Sequence, residues 1–437
     1  MEKNKPLKVV AIGAGSGFGR GILADLMGYS DLDGLKVNLV LVDINPEALE
    51  RMYKFGLLLK DYFKSDLAVE TTTDRRAALP GADYVITSVA IKRMPLWEQD
   101  FRVPLAYGFK HVLGENGGPG AVFHALRNYQ LMIPIARDVE ALCPQALLLN
   151  FTNPESRIIM ALSKLTKVKA VGLCHGVMAS RGGISRILDR PLEELDVVTG
   201  GLNHFFWVTK IADKKTGEDL YPELRDRVLN DPDCPSAPSL VRKMVEVFGL
   251  YTYPSNDHIG EYLSFAYEFD GVKWHYGLEA HKIPLEAQPA PTFRLDDYLT
   301  GGKPLDARAV RRSGELAVPI MLGIEQNRGN WECAVNVPND GLYVENLASD
   351  AVVEVPAVMD KDGVHPCKVG ALPEALAAFC ARQVSIQKIL VEAYEKRSRN
   401  LLLQALLLDP IVDSVRSAQA MLDYMLDLQQ DYLPDFS

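Results

Sequence analysis

The stretch that most constrains this chain lies near its start. Val9-Val10-Ala11-Ile12 is an apolar, partly β-branched run that enters Gly13-Ala14-Gly15-Ser16-Gly17-Phe18-Gly19 directly, and helix-forming residues follow. Strand, glycine turn and helix in that order make a phosphate-binding loop. Gly13 permits the tight turn, and Gly15 lets a pyrophosphate approach the amides at the helix start. The third glycine of the fingerprint falls at Phe18, with Gly19 one residue later, and Ser16 and Phe18 are further candidate cofactor contacts. A second apolar run ends at Asp43, where an acid can bind the ribose hydroxyls of a dinucleotide. It lies beyond the usual ~20 residues because the loop at 30–36 intervenes. An acid there repels a 2′-phosphate, which favours NAD over NADP. A flexible turn would explain the glycines alone, but not the glycines together with strand, helix and Asp43.

The same alternation continues. Apolar runs at 8–12, 37–42, 84–89, 146–151 and 168–173 are separated by helical candidates at 20–29, 46–60, 121–142 and 156–165. Near-continuous aliphatic strands suit a parallel sheet covered on both faces. The expected fold is α/β, with a Rossmann-type doubly wound parallel sheet in residues 1–195. Beyond it the character changes. Two strands are expected in 196–211, partly helical structure in 222–250, and loops near a cleft in the aromatic, His- and Pro-rich stretch 265–291. Helices are expected at 374–396, 399–408 and 414–429. Residues 196–437 are therefore read as a second, mixed α/β and largely helical domain that completes a site on the first. No internal repeat or low-complexity linker separates the two.

Composition narrows the function classes. Of 437 residues, 48% are hydrophobic and 24% charged, as in ordinary soluble enzymes. The net charge of −10 argues against a nucleic-acid partner, which needs a dense basic face. No apolar run is long enough to span a bilayer, and the polar start Met1–Lys8 carries no signal-peptide pattern. Six cysteines, at 143, 174, 234, 333, 367 and 380, are scattered like reduced thiols. A cytoplasmic enzyme with neither membrane nor nucleic-acid partner is expected.

Three short segments sit where α/β enzymes place ligands, at strand ends. They are Thr152-Asn153-Pro154-Glu155, Leu173-Cys174-His175-Gly176 and Gly201-Leu202-Asn203-His204. One thiolate and one imidazole from separate strand ends could form a partial metal site that leaves positions open for substrate oxygens. Taken singly, each is more often a core cysteine or a satisfied histidine.

Together these segments resemble the family 4 glycoside hydrolases. The same order holds for Gly114-Glu115-Asn116-Gly117-Gly118-Pro119-Gly120, Ala125-Leu126-Arg127, Asn346-Leu347, Val353-Glu354-Val355-Pro356 and Gly370-Ala371-Leu372-Pro373, so the resemblance spans nearly the whole chain. It implies NAD and a divalent metal, usually Mn2+, as cofactors. Cys174 and His204 would hold the metal, while Asn153, His175 and Asn203 would line the sugar pocket. Glu115 would assist the leaving group. Asp257, in Asn256-Asp257-His258-Ile259-Gly260-Glu261-Tyr262, falls in the region of the proton-abstracting base, although Asp257 and Glu261 could also be surface charges. The implied reaction removes hydride from C3 of the sugar, polarises the ketone on the metal and abstracts the C2 proton. Elimination of the C1 substituent, addition of water and return of the hydride follow. This chemistry stands apart from hydrolysis by two flanking carboxylates. His175 after Cys174 favours an unphosphorylated α-glycoside, and Cys-His-Gly is most similar to α-glucuronidase and α-galacturonidase members. Lys92, Arg93 and Arg181 are candidate cations for a uronate, with solvated surface charge the simpler role for each. The resemblance also implies a homodimer or homotetramer. The alternative is a malate- or lactate-type NAD-dependent dehydrogenase, which shares the Rossmann start and the Asn-Pro motif.

Overall fold

Successive residues of a strand point to opposite faces, and the first strands of this chain do so with apolar side chains on both. Val9, Ala11, Leu39 and Leu41 enter one core, and Val10, Val40 and Val42 enter the other. The computed structural model describes residues 6–16, 18–29, 32, 34–271, 273–274 and 295–436. In it, β1 (Lys8–Ile12), β2 (Asn38–Val42), β3 (Ala68–Thr72), β4 (Tyr84–Thr87), β5 (Leu147–Asn150) and β6 (Lys169–Gly172) pair in parallel. Their order is β3-β2-β1-β4-β5-β6, the doubly wound arrangement.

The sheet does not stop there. The later strands are β7 (Leu195–Leu202), β8 (Phe205–Asp213), β9 (Asn330–Pro338), β10 (Val352–Asp360) and β11 (Gly363–Pro366). β9 joins β6 antiparallel at Gly172 and Asn336, and β10, β7 and β8 continue the order, with β11 paired to β10. The seam is tight. A Cβ on Gly172 would lie 2.1 Å from Glu155 Oε1 and 2.8 Å from the Cβ of Asn336. The helices Glu374–Lys396, Arg399–Leu408 and Val415–Leu428 cover the face that holds Val10 and Val40, through Leu390, Leu402 and Met421. The end of the chain thus completes the core of its beginning. No described helix is long and apolar enough to cross a membrane, and all six cysteines are free.

The expected runs appear within a few residues of their places. Not foreseen, among others, were β9, β10, β11 and the helix Ala317–Glu325, together with three elements of the first half. β3 reads Ala-Val-Glu-Thr-Thr, an edge strand with little apolar signal, while the helix Arg93–Ala106 contains Pro95 and Pro104 and the helix Gly176–Leu188 contains Gly182 and Gly183. Proline and glycine lower helix propensity, and here tertiary packing overrides it. Of the 265–291 stretch, the helix Tyr267–Asp270 forms, and 275–291 lies outside the described residues.

Candidate active site

The glycine loop is shaped by close approach. Gly13 has φ of +86°, and a Cβ on it would sit 2.1 Å from the Ser88 carbonyl oxygen. A Cβ on Gly15 would meet Asp43 Oδ2 at 2.8 Å, and one on Gly19 would lie 2.0 Å from the Ala14 carbonyl oxygen. Gly19 therefore serves the close-packing role of the third glycine. Phe18 turns toward a smaller cavity and packs on Phe151, with ring centroids 5.0 Å apart. Asp43 accepts from the Gly15 amide at 2.8 Å and from the Asn45 amide at 2.9 Å, so its carboxylate ties the loop to the end of β2. Beside them runs a cleft of about 740 Å³ lined by Gly13, Gly15, Ser16, Asp43, Ile44 and Lys92, among others. Ser16 Oγ is buried without a hydrogen-bond partner, and Ile44 is 90% exposed along the cleft.

The smaller cavity, about 170 Å³, adjoins the cleft: Ser16 and Lys92 line the cleft, and Phe18 and Arg93 line the cavity. Cys174 arrives just past β6. His204 arrives in the two-residue turn between Leu202 and Phe205, the paired ends of β7 and β8. Its φ is +61°, at a turn position that glycine favours, and strain of this kind gathers at functional sites. The turn brings His204 Nε2 to 3.3 Å from Cys174 Sγ. A tetrahedral metal holding one sulfur and one nitrogen separates them by roughly 3.5 Å, so the pair fits an ion. Ligand atoms of Glu115, His204 and His258 also lie within 4.8 Å of one another. On the other side of the His204 ring, Nδ1 faces the Asn116 amide nitrogen at 3.1 Å and Glu261 Oε1 at 3.8 Å. Glu261 Oε1 and Asn116 Oδ1 are buried acceptors with no partner of their own. Partners on that side fix which ring nitrogen is left for a metal.

The remaining expected residues divide into two groups. Asn153, His175 and Glu115 line the cavity, and Asn153 Nδ2 lies 3.4 Å from Glu115 Oε1. Asn203 stands behind it, its amide donating to Glu354 Oε1 at 3.1 Å. Asp257 also stands behind. It accepts from the His258 ring at 2.7 Å, and it is His258, stacked on Tyr253 with centroids 4.6 Å apart, that faces the cavity. Neither Asp257 nor Glu261 is a surface charge: Glu261 is fully buried and accepts from the amides of Glu115 at 3.0 Å and Asn116 at 2.8 Å. Gly176 has a steric reason, since a Cβ there would lie 2.6 Å from the Tyr253 ring.

Burial dominates the electrostatics. It pushes the Cys174 thiol well above its ordinary range, with Glu354 adding to the rise, and it lowers His204 to about 3, helped by His258. A neutral thiol beside a neutral imidazole is a donor pair that a divalent ion can deprotonate and bind. Burial would raise Glu115 too, but Arg93, at 2.5 Å, and the imidazoles of His124, His204 and His258 outweigh it and hold this carboxyl low. His258 would fall on burial, yet its bond to Asp257 raises it. Sequence reasoning missed Asn116, Tyr253 and His258, and also the pairing of Arg93 with Glu115. Asn116 lies in the quoted glycine-rich segment and His258 beside Asp257, but nothing local marks Tyr253.

The Family 4 glycosyl hydrolase model matches residues 8–190, and the Family 4 glycosyl hydrolase C-terminal domain matches 199–412. The chain is 33% identical to an alpha-glucosidase of Erwinia rhapontici, with 98% of each chain covered. It is 30% identical to an alpha-galactosidase of Bacillus subtilis (strain 168), covering 98% of this chain and 99% of that one. Its fold is shared with a 6-phospho-alpha-glucosidase from gut microorganisms, solved in complex with NAD and Mn2+. The TM-score is 0.83 at 24% identity, over 99% of this chain and 100% of that one. The protein is a glycosidase, and it belongs to family 4 of the glycosyl hydrolases. The dehydrogenase alternative falls with that assignment, because the family match continues through the C-terminal half.

Proposed function

We propose that this chain hydrolyses an unphosphorylated α-glycoside with the help of NAD and a divalent metal, Mn2+ being the first candidate. The observation that carries this reading is the Cys174–His204 pair in a cavity that adjoins the nucleotide cleft. The orphaned Ser16 Oγ beside the glycine loop supports a phosphate there, and exposed Ile44 offers an apolar surface for a base. When bound, NAD would take up and return the C3 hydride, and the metal would act as Lewis acid beside it.

The chain's own residues would do the rest. Cys174 and His204 would hold the metal. Asn116 and Glu261 would orient the His204 ring, and Asn203 with Glu354 would brace the wall behind Cys174. Asn153 and His175 would contact sugar hydroxyls. Asp257 would act in C2 proton removal through His258, which it holds toward the cavity. Glu115 would assist the leaving group, for which its carboxylate must first gain a proton that Arg93 opposes. Residues 1–195 would supply the cofactor domain and 196–437 the substrate and association domain. Self-association as a dimer or tetramer is part of the proposal. It is supported by Leu407, Leu408, Val415, Tyr424 and Leu428, exposed on the last two helices.

An α-glucuronide or α-galacturonide is one form of this reading and a neutral α-hexoside another. The uronide form needs a free cation. Arg93 faces Glu115, Lys92 lies over the Tyr432 ring at 5.3 Å and Arg181 over Trp331 at 5.3 Å. The test is cleavage of aryl α-glycosides with NAD and Mn2+, with and without chelator. Cleavage that chelator abolishes is expected. Net NADH accumulation with a hydroxy acid, and no cleavage, would refute the reading.

A further inference from the structure

The wall of the sugar cavity carries a carboxylate that the reading above does not use. Glu315 lines the cavity and is 4% exposed. Its Oε1 lies 3.2 Å from His175 Nδ1, while Oε2 is buried with no hydrogen-bond partner. A buried acceptor left in that state calls for a donor from outside the chain.

The carboxylate is held in place by a built strap. The Glu315 amide donates to Ser313 Oγ at 3.0 Å, the Ser313 amide donates to Asp25 Oδ1 at 2.7 Å, and the Ser313 hydroxyl donates to Asp25 Oδ2. Asp25 belongs to the helix Gly19–Gly28 that follows the glycine loop. Two glycines of that helix let the strap lie close: a Cβ on Gly21 would sit 3.0 Å from the Cβ of Ser313, and one on Gly28 would sit 3.1 Å from Arg312 Cδ.

Charge pairing around the cavity points the same way. Arg93 faces Glu115 at 2.5 Å, His258 faces Asp257 at 2.7 Å, and His175 faces Glu315 at 3.2 Å. Among the described residues that line the cavity, each cationic group already has its carboxylate. A phosphate or carboxylate on the sugar would meet no unpaired cation there and would be buried beside Glu315, a like charge. A hydroxyl would instead bring the donor that Oε2 lacks.

We propose that Glu315 is a specificity-determining residue that accepts a hydrogen bond from a hydroxyl of a neutral pyranoside and rejects sugar 6-phosphates and uronates. This rests on the glycosidase reading and selects the neutral hexoside within it. The test compares aryl α-glucoside, α-galactoside, α-glucuronide and 6-phospho-α-glucoside with NAD and Mn2+, alongside calorimetric binding of glucose, glucuronate and glucose 6-phosphate. The wild-type protein should favour a neutral sugar by at least about tenfold in both measurements, since like-charge burial costs that much or more. Glu315→Gln should bring the neutral and anionic sugars within about threefold of each other, because the repulsion is gone and an acceptor remains. Glu315→Asp, which keeps the charge, should keep the discrimination. An unchanged NAD affinity shows that each variant is folded. A wild-type preference for either anionic sugar overturns the inference and leaves the glycosidase reading standing, as does unchanged selectivity in a Glu315→Gln protein that still binds NAD. Failure to cleave any of the four in a cofactor-dependent way overturns the glycosidase reading, and this inference with it.

Discussion

The cleft beside the glycine loop and the cavity around Cys174 and His204 lie side by side but are built differently. One side of the cleft comes from β1, its glycine loop and the stretch from the end of β2 to Ala48, and residues from 73–76, 88–92 and 130–135 line the rest. The cavity draws on the segments around Arg93, Glu115, Asn153, Cys174, His204, Tyr253 and Glu315. One is a backbone motif whose shape follows from steric limits on glycine. The other is a convergence of side chains that exists only once eleven strands and the covering helices have assembled. Such a difference should show as separable defects when either region is altered.

The largest separable effect is expected from Cys174→Ser. With Cys174 as the proposed metal ligand, losing a Lewis acid worth several kcal/mol would cost on the order of 10³-fold in turnover, while NAD affinity should stay within about twofold. Kinetics with calorimetric titration of Mn2+ and NAD would check both halves of that statement. If NAD affinity fell equally, the two regions would not be independent.

The strap between them has its own signature. Burial raises Asp25 to about 6 from 3.8, so the folded protein binds this proton more tightly than the unfolded chain does. Stability from this group is therefore greatest below about pH 4 and falls as pH rises from about 4 to 6, by at most about 3 kcal/mol. Denaturant unfolding across that range in wild type and Asp25→Asn should isolate the slope as a difference. A difference that rises with pH would contradict it.

On the cleft side, Gly15→Val drives a side chain into Asp43 and Ala48. Overpacking of about 1–3 kcal/mol corresponds to roughly 10- to 100-fold weaker NAD binding, with Mn2+ binding retained. On the cavity side, Asn116→Ala removes a group facing His204 Nδ1. With His204 as the proposed metal ligand, about 10-fold weaker Mn2+ binding is expected, the usual effect of losing an outer partner, with NAD binding intact. The smallest change is Ile44→Ala, which trims the exposed apolar surface of the cleft. It should weaken NAD binding by about three- to fivefold, on the order of 0.7–1 kcal/mol. A result no different from wild type would remove Ile44 from the cofactor surface.

Local sequence carried some residues further than others. Gly13, Gly15 and Asp43 were legible because a turn and a close backbone approach demand particular residue types over a short stretch. Cys174 and His204 were legible as strand-end candidates for a partial metal site, which the resemblance made specific, since nothing in their 30-residue separation says that Sγ and Nε2 meet at 3.3 Å. Asp257 was found one residue from the group that faces the cavity. The helix Asn256–Gly260 places successive side chains about 100° apart, so a small difference in register decides which one enters. Gly19 took the role that the fingerprint spacing assigned to position 18.

By itself the sequence determined the strand–loop–helix start, the parallel half of the sheet apart from its edge strand β3, and the helical end, because apolar periodicity and glycine stereochemistry act over short distances. The tertiary structure decided that Gly172 and Asn336 join the two halves in one sheet, and that the final helices close the first core. It also decided which carboxylate meets which cation around the cavity. Those pairings depend on burial and on contacts between residues far apart in the chain, 140 positions for His175 and Glu315 and 146 for Glu115 and Glu261. Coulomb and desolvation energies follow that spatial arrangement, which no local stretch of sequence encodes.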